Sequence, residues 1–76
     1  MFEIVVMVCL AATGEQCREF KLPGKEYRDV VQCITDSQGE GAAWQLKNNK
    51  YTIIGTRCAK DADVPDAPDA SRTHQN

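Results

Sequence analysis

Histidine is almost missing from this 76-residue chain: the single one, His74, stands close to the C-terminal end. In a stretch expected to lack fixed structure it cannot be held against a nucleophile, which sets aside any catalytic triad or dyad built on imidazole. Serine is scarce too. Ser37 falls on the expected inner face of a helix, where a small side chain serves close packing, and Ser71 lies in the tail. None of the four cysteines forms a C-x-x-C pair, and the one at a helical position, Cys33, is mid-helix rather than at an N-terminus where a thiolate is favoured. Gly24-Lys25 lacks the first glycine and the Ser/Thr of a phosphate loop, so a plain turn is expected there.

Basic charge is not in excess. Residues 1–60 carry eight Lys/Arg against seven Asp/Glu, net +1, while residues 61–76 carry Asp61, Asp63, Asp66 and Asp69 against Arg72, net -3; the sum is the formal -2. A body so evenly mixed has no basic stripe for neutralising phosphates, and no nucleic-acid partner is expected. Long apolar runs are absent as well. The longest, Ile4 to Ala12, is too short to span a bilayer, so no membrane partner is expected. As a signal peptide it lacks a basic leading region, since Glu3 precedes it, and its removal would leave the odd set Cys17, Cys33 and Cys58. It reads as mature structure. The absence of a leader points to the cytoplasm, whereas disulfides, if formed, require an oxidising compartment.

What is present reads as one small α+β domain over residues 1–60 with a disordered acidic tail over 61–76. Residues 2–10 are β-branched and continuously apolar, as in a central strand. Thr13-Gly14-Glu15 makes a turn, and Cys17 to Leu22 alternates, with Phe20 and Leu22 on one side, as a half-exposed edge strand ended by Pro23-Gly24. From Lys25 the period becomes helical, with Val30, Cys33 and Ile34, Ser37, Gly41 and Trp44 on one face and Arg28, Asp29, Gln32, Asp36 and Lys47 turned to water. Gly39 and Gly41 cost about 1 kcal/mol each against alanine, so a kink or break is expected there. Asn48-Asn49 ends the helix, and Tyr51 to Cys58 has the composition of a third strand. A hairpin followed by a right-handed crossover gives ββαβ with a three-stranded sheet in the order 2-1-3 and the helix on one face. Beyond Lys60, low hydrophobicity, like charge and Pro65 and Pro68 leave nothing to offset ordering entropy.

This topology places Cys9 and Cys17 across the hairpin end, and Cys33 nearer to Cys58 than to the hairpin. Cys9–Cys17 with Cys33–Cys58 is the favoured connectivity, worth about 2.5 and about 3.5 kcal/mol on a chain-entropy estimate. Four buried free thiols are an equal alternative. A zinc site is a lesser one, since no knuckle spacing is present and the cysteines fall at two ends. No metal site and no cofactor are expected. The carboxylate pairs Glu26/Asp29 and Glu15/Glu19 read as solvated surface, and the tail aspartates do not have calcium-loop spacing.

The run Val8-Cys9, Cys17-Arg18, Gln32-Cys33, Ala43-Trp44 and Arg57-Cys58 resembles a pattern found in short uncharacterised bacterial four-cysteine proteins with no assigned activity. The resemblance spans residues 1–60 and implies a self-contained ββαβ domain without implying any chemistry. The two helix glycines depart from it.

With no anchored acid/base pair, nucleophile or cofactor motif, the function expected is that of a non-enzymatic interaction domain. A sheet covered on one face only is expected to expose Val5, Met7 and Ile54, and a helix broken at Gly39 would add Trp44 and Tyr51. These five are the candidate partner-binding residues, for a protein partner or a homodimer. A thiol redox or metal-handling protein using the four cysteines is the rival from another class, and a short phage-type inhibitor a third possibility.

Overall fold

The structure, a computed structural model, describes residues 1–68. Its elements are β1 (Phe2–Leu10), β2 (Arg18–Tyr27), α1 (Val30–Lys47) and β3 (Tyr51–Lys60). The sheet order is β2-β1-β3 with both outer strands antiparallel to β1, which is the α+β arrangement expected. The strand with the most continuous apolar run is the central one because only the middle of a covered sheet buries both of its faces. Ile4, Val5, Val6 and Val8 are fully buried.

β2 is longer than Pro23-Gly24 suggested. Between Glu3, which pairs with Glu26, and Val5, which pairs with Lys21, four residues of β2 stand opposite Ile4 alone. Pro23 has no N–H to offer a ladder and Gly24 sits at φ 82°, so the pair makes a bulge inside the strand, after which pairing resumes to Tyr27. The helix accordingly starts later than Lys25. Asp29 is its N-cap, extended in backbone and accepting from the Val31 N–H at 3.0 Å.

α1 runs unbroken through Gly39 and Gly41. An ideal Cβ on Gly41 would lie 3.4 Å from Ile53 Cδ1 and 3.6 Å from Thr56 Cγ2, so the missing side chain is what lets the helix come close to β3. The buried stripe is Cys33, Ser37, Gly41 and Trp44. Val30 and Ile34, expected on that stripe, are instead 37% and 56% exposed. The inner side chains of α1 meet Ile4, Val6, Val8, Phe20 and Leu22 in a single core. Buried Asn48 then ends the helix, its Nδ2 donating to the Trp44 carbonyl and its carbonyl accepting from the Tyr51 N–H.

The expectation of disorder from residue 61 is corrected over 61–68. This segment lies along β2 and forms a parallel bridge from Asp66 to Lys21. Lys21 donates to the Pro65 carbonyl at 2.9 Å and accepts from the Ala67 N–H at 2.8 Å. Ala67 is 6% exposed within the core. The composition argument counts hydrophobicity and charge; here two prolines contribute carbonyls and one alanine contributes a small side chain that fits. The same expectation for residues 69–76 lies outside the described residues.

Candidate functional site

Four sulfurs form two disulfides at opposite ends of the domain. Cys9–Cys17 closes the hairpin end, with Cα atoms 4.0 Å apart, and Cys33–Cys58 joins α1 to β3 with Cα atoms 6.2 Å apart. No cysteine is left free among the described residues. Nor do the described residues hold a group of three or more His, Cys, Asp or Glu side chains arranged around a metal position. Among them, no helix is long and apolar enough to cross a membrane. Partial burial, followed by the Asp36 and Glu40 carboxylates, holds the Tyr27 phenol above its ordinary 10.0, which works against a nucleophilic phenolate there.

The sheet face turned away from α1 is not the open apolar patch expected of it. Val5 stands between Lys21 of β2 and Arg57 of β3, and Met7 between Glu19 and Gly55. Arg57 and Glu19 therefore meet diagonally across β1, with Nε to Oε2 and Nη2 to Oε1 both 2.9 Å. The pair shares a hollow with Val5 and Met7, and Val5 has no exposed surface at all. A second ion pair, Lys21 to Glu3 at 3.8 Å, joins β2 to β1 on the same strands.

The bidentate hydrogen bond to Arg57 holds the Glu19 carboxyl below its ordinary 4.5. A depressed carboxylate pKa contributes stability that is in place above about pH 4.5 and fades as pH falls through the lowered value. Acidification is therefore expected to uncover Val5 before it unfolds the core. An NMR titration of the Glu19 side-chain carbon should show a midpoint below 4.5, with amide exchange at Val5 and Met7 following it, and Glu19→Gln should remove that step. A Glu19 midpoint at or above 4.5 would mean the pair does not form.

The five candidate partner-binding residues are thus not brought together. Val5 is sealed and Met7 half-buried beneath the ion pair. Trp44 is 9% exposed and stacks on half-buried Tyr51, ring centroids 5.9 Å apart and planes at 28°, because the helix did not break. Ile54 alone is exposed, at 62%. It is the extra residue of a β3 bulge, since Met7 pairs with Gly55 and Val8 with Ile53.

Around Ile54 the structure assembles what the sequence pattern hid. A groove of about 330 Å³ runs between α1 and β3, floored by Gly41 and Ile53 and flanked by Gln38, Gln45 and Ile54. It continues past Ala42 to Leu46, which is 85% exposed, and Ile34 and Val31 stand exposed further back along the helix. Positions 31, 34, 38, 42, 45 and 46 recur at helical spacing and form a second stripe on α1 beside the buried one. The Gln45 side chain is anchored, its Oε1 accepting from the Ile53 N–H at 2.9 Å, so the β3 edge is covered at that point. Gln38, Gln45 and Thr56 are the polar members of the wall, all uncharged. Such a lining has no group to move a proton.

The helical period places Ile34 with Cys33 on the inner face, so this second stripe emerges only from the structure, where Ile34 is exposed and the bulge puts Ile54 beside the helix. Compared with protein-family models, with curated proteins and with solved structures, the chain finds no match.

Proposed function

We propose that this protein is a non-enzymatic interaction domain that binds a partner protein through the α1–β3 groove. The observation that carries the reading is the groove itself, whose uncharged lining includes exposed Ile54 and, past Ala42, exposed Leu46, with Val31 and Ile34 exposed further back on the same helical stripe. Scattered exposed apolar residues are ordinary, but exposed apolar side chains that line a groove mark a docking surface. The other apolar residues of the sheet are covered, by the core on one side and by the Glu19–Arg57 pair on the other, which leaves this patch as the surface with the most to gain from a partner. Apolar anchors seated in a groove between uncharged walls are how small domains hold a helix or a loop of another protein.

A partner distinct from the chain itself is favoured over a homodimer by the charge at the ends of β3. Antiparallel self-pairing centred on Gly55 would bring Lys50 against Lys60 of the second copy, and lysines flanking an edge strand oppose self-association.

The double variant Leu46→Asp with Ile54→Asp tests this. Both residues are exposed, so melting should stay within a few degrees of wild type. A photo-crosslinker placed at Ala42 should couple one dominant protein from a native extract in the wild-type background and lose it in the double variant, while a crosslinker at Gln16, exposed in the hairpin turn, should couple none. Equal coupling in both backgrounds would sink the groove, and a light-scattering mass of two chains, lost in the double variant, would assign it to a homodimer.

A further inference from the structure

The second edge of the sheet holds a different site, already filled. Residues 62–68 lie along β2 as a strap, and each contact is of a kind that recognises an extended peptide. The Lys21 main chain brackets Asp66, donating to the Pro65 carbonyl and accepting from the Ala67 N–H. Trp44 Nε1 donates to the Pro68 carbonyl at 2.6 Å. Lys21 Nζ lies 4.0 Å from Asp66 Oδ1, and Glu3 Oε1 accepts from the Ala62 N–H at 2.9 Å. The Ala67 methyl is buried against Leu22 and Trp44, at the mouth of a hollow of about 220 Å³ that Pro23, Lys25 and Lys47 also line. Pro65 and Pro68 contribute only carbonyls to this pairing and have no N–H to leave unpaired on the outer side.

What joins the strap to the domain is thin. Asp61 follows β3 at φ 53°, a left-handed conformation that costs a non-glycine residue, and its N–H reaches the Met1 carbonyl only at 3.4 Å. Most of the strap's own side chains are exposed or half-exposed; Ala67 is the one that is buried.

We infer that the β2 edge is a peptide-binding site for extended segments of Pro-acid-Ala-Pro chemistry, and that the strap is its resident competitor. The site adds a strand by main-chain pairing, selects a small residue in the Ala67 position and an acid beside Lys21, and reads the final carbonyl with the indole of Trp44. A tethered occupant acts at an effective concentration in the millimolar range, so a free segment of the same chemistry gains access when the strap is weakened or released. This site is separate from the α1–β3 groove and stands or falls independently of it.

Full-length protein carrying Ala67→Asp supplies the open site, because a charge cannot occupy the buried methyl position. Trp44 is the only tryptophan, so its emission reports the site directly. The probe is a synthetic peptide of residues Ala62–Pro68. It should shift the Trp44 emission of the A67D protein saturably towards that of wild type, at a concentration at least tenfold lower than any effect on wild type. The same peptide carrying Asp66→Lys should bind A67D at least several-fold more weakly. Full-length Asp66→Lys, a milder release, should respond to the unmodified peptide between A67D and wild type, and covers the case in which A67D does not fold. Intact mass with both disulfides present and an unchanged far-ultraviolet spectrum establish the fold of each variant. A folded variant that ignores the peptide, or answers both peptides alike, overturns the proposal. A heterodimer formed on mixing wild type with A67D and dissolved by the peptide would support it, since a second copy's strap carries the same chemistry.

Discussion

Replacing Cys33 and Cys58 together by alanine is expected to lower the melting temperature by roughly 15–25 °C. The bridge closes a loop with a sequence separation of 25, which corresponds to about 3.5 kcal/mol of chain entropy, and each kcal/mol moves a domain of this size by about 4–8 °C. Its position adds to the length effect. Cys33 is fully buried in the stripe by which α1 meets the sheet, and Cys58 is on the strand that α1 packs against most closely, so the bond holds the crossover where the hairpin turn cannot help. The Cys9–Cys17 pair spans 8 residues across a turn already closed by Leu10 N–H to the Glu15 carbonyl and Gly14 N–H to the Leu10 carbonyl. Its double alanine variant is expected to lose about 2.5 kcal/mol at most, in proportion to the shorter loop. Calorimetric melts of the two double variants without reductant check the ranking. A smaller loss for the helix-to-strand bridge than for the hairpin bridge would contradict the placement of α1 over β3.

The pairing of the cysteines was readable from the chain because connectivity and topology constrain each other, whereas their oxidation was not, since four buried thiols fit the same sequence equally well. Once residues 2–10 are the centre of the sheet, Cys9 and Cys17 must face one another across the turn, and Cys33, in the first turn of α1, stays near the end of the sheet where Cys58 lies. The candidate site was not readable in the same way, for reasons tied to particular residues. Arg57 and Glu19 are 38 positions apart, and nothing local says that their side chains span β1 to cover Val5. The bulge at Ile54 shifts one residue against β1, and period-two reasoning has no signal for such an insertion until the partner strand is known. Gly39 and Gly41 look alike to a propensity scale, yet a Cβ on Gly39 would meet nothing within 4 Å while Gly41 sits where the helix touches Ile53 and Thr56. Tertiary contact overrode the local cost of glycine, and with the helix intact Trp44 stayed inside. The strap is the sharpest case. Composition measures what a segment contributes by its own burial, whereas Pro65 and Pro68 are held by donors that belong to Lys21 and Trp44.

Trp44 is consequently the residue on which most separate features converge, and Trp44→Ala is expected to cost about 3–5 kcal/mol, a large share of the stability available to a domain this small. Its ring stacks on Tyr51, which in turn meets Phe20 edge-on with centroids 5.9 Å apart and planes at 77°, so one aromatic chain runs from α1 through β3 to β2. Its backbone carbonyl accepts from Asn48 at the helix end, and its indole N–H holds the strap. Trp44→Phe separates these roles. Phenylalanine keeps an aromatic face against Tyr51 and loses the donor, so the cost should fall to about 0.5–1.5 kcal/mol. That loss should appear locally, as faster amide exchange at Ala67 and Lys21 with protection of Val6 and Val8 unchanged, because the strap leaves while the core stays. Urea melts give the two stabilities and hydrogen exchange gives the location. If Trp44→Phe slowed neither amide's return to protection nor raised its exchange, the strap would be held by its main-chain pairing to Lys21 and the Ala67 methyl alone; if Trp44→Ala melted within a few degrees of wild type, the aromatic chain would not be the centre of the core.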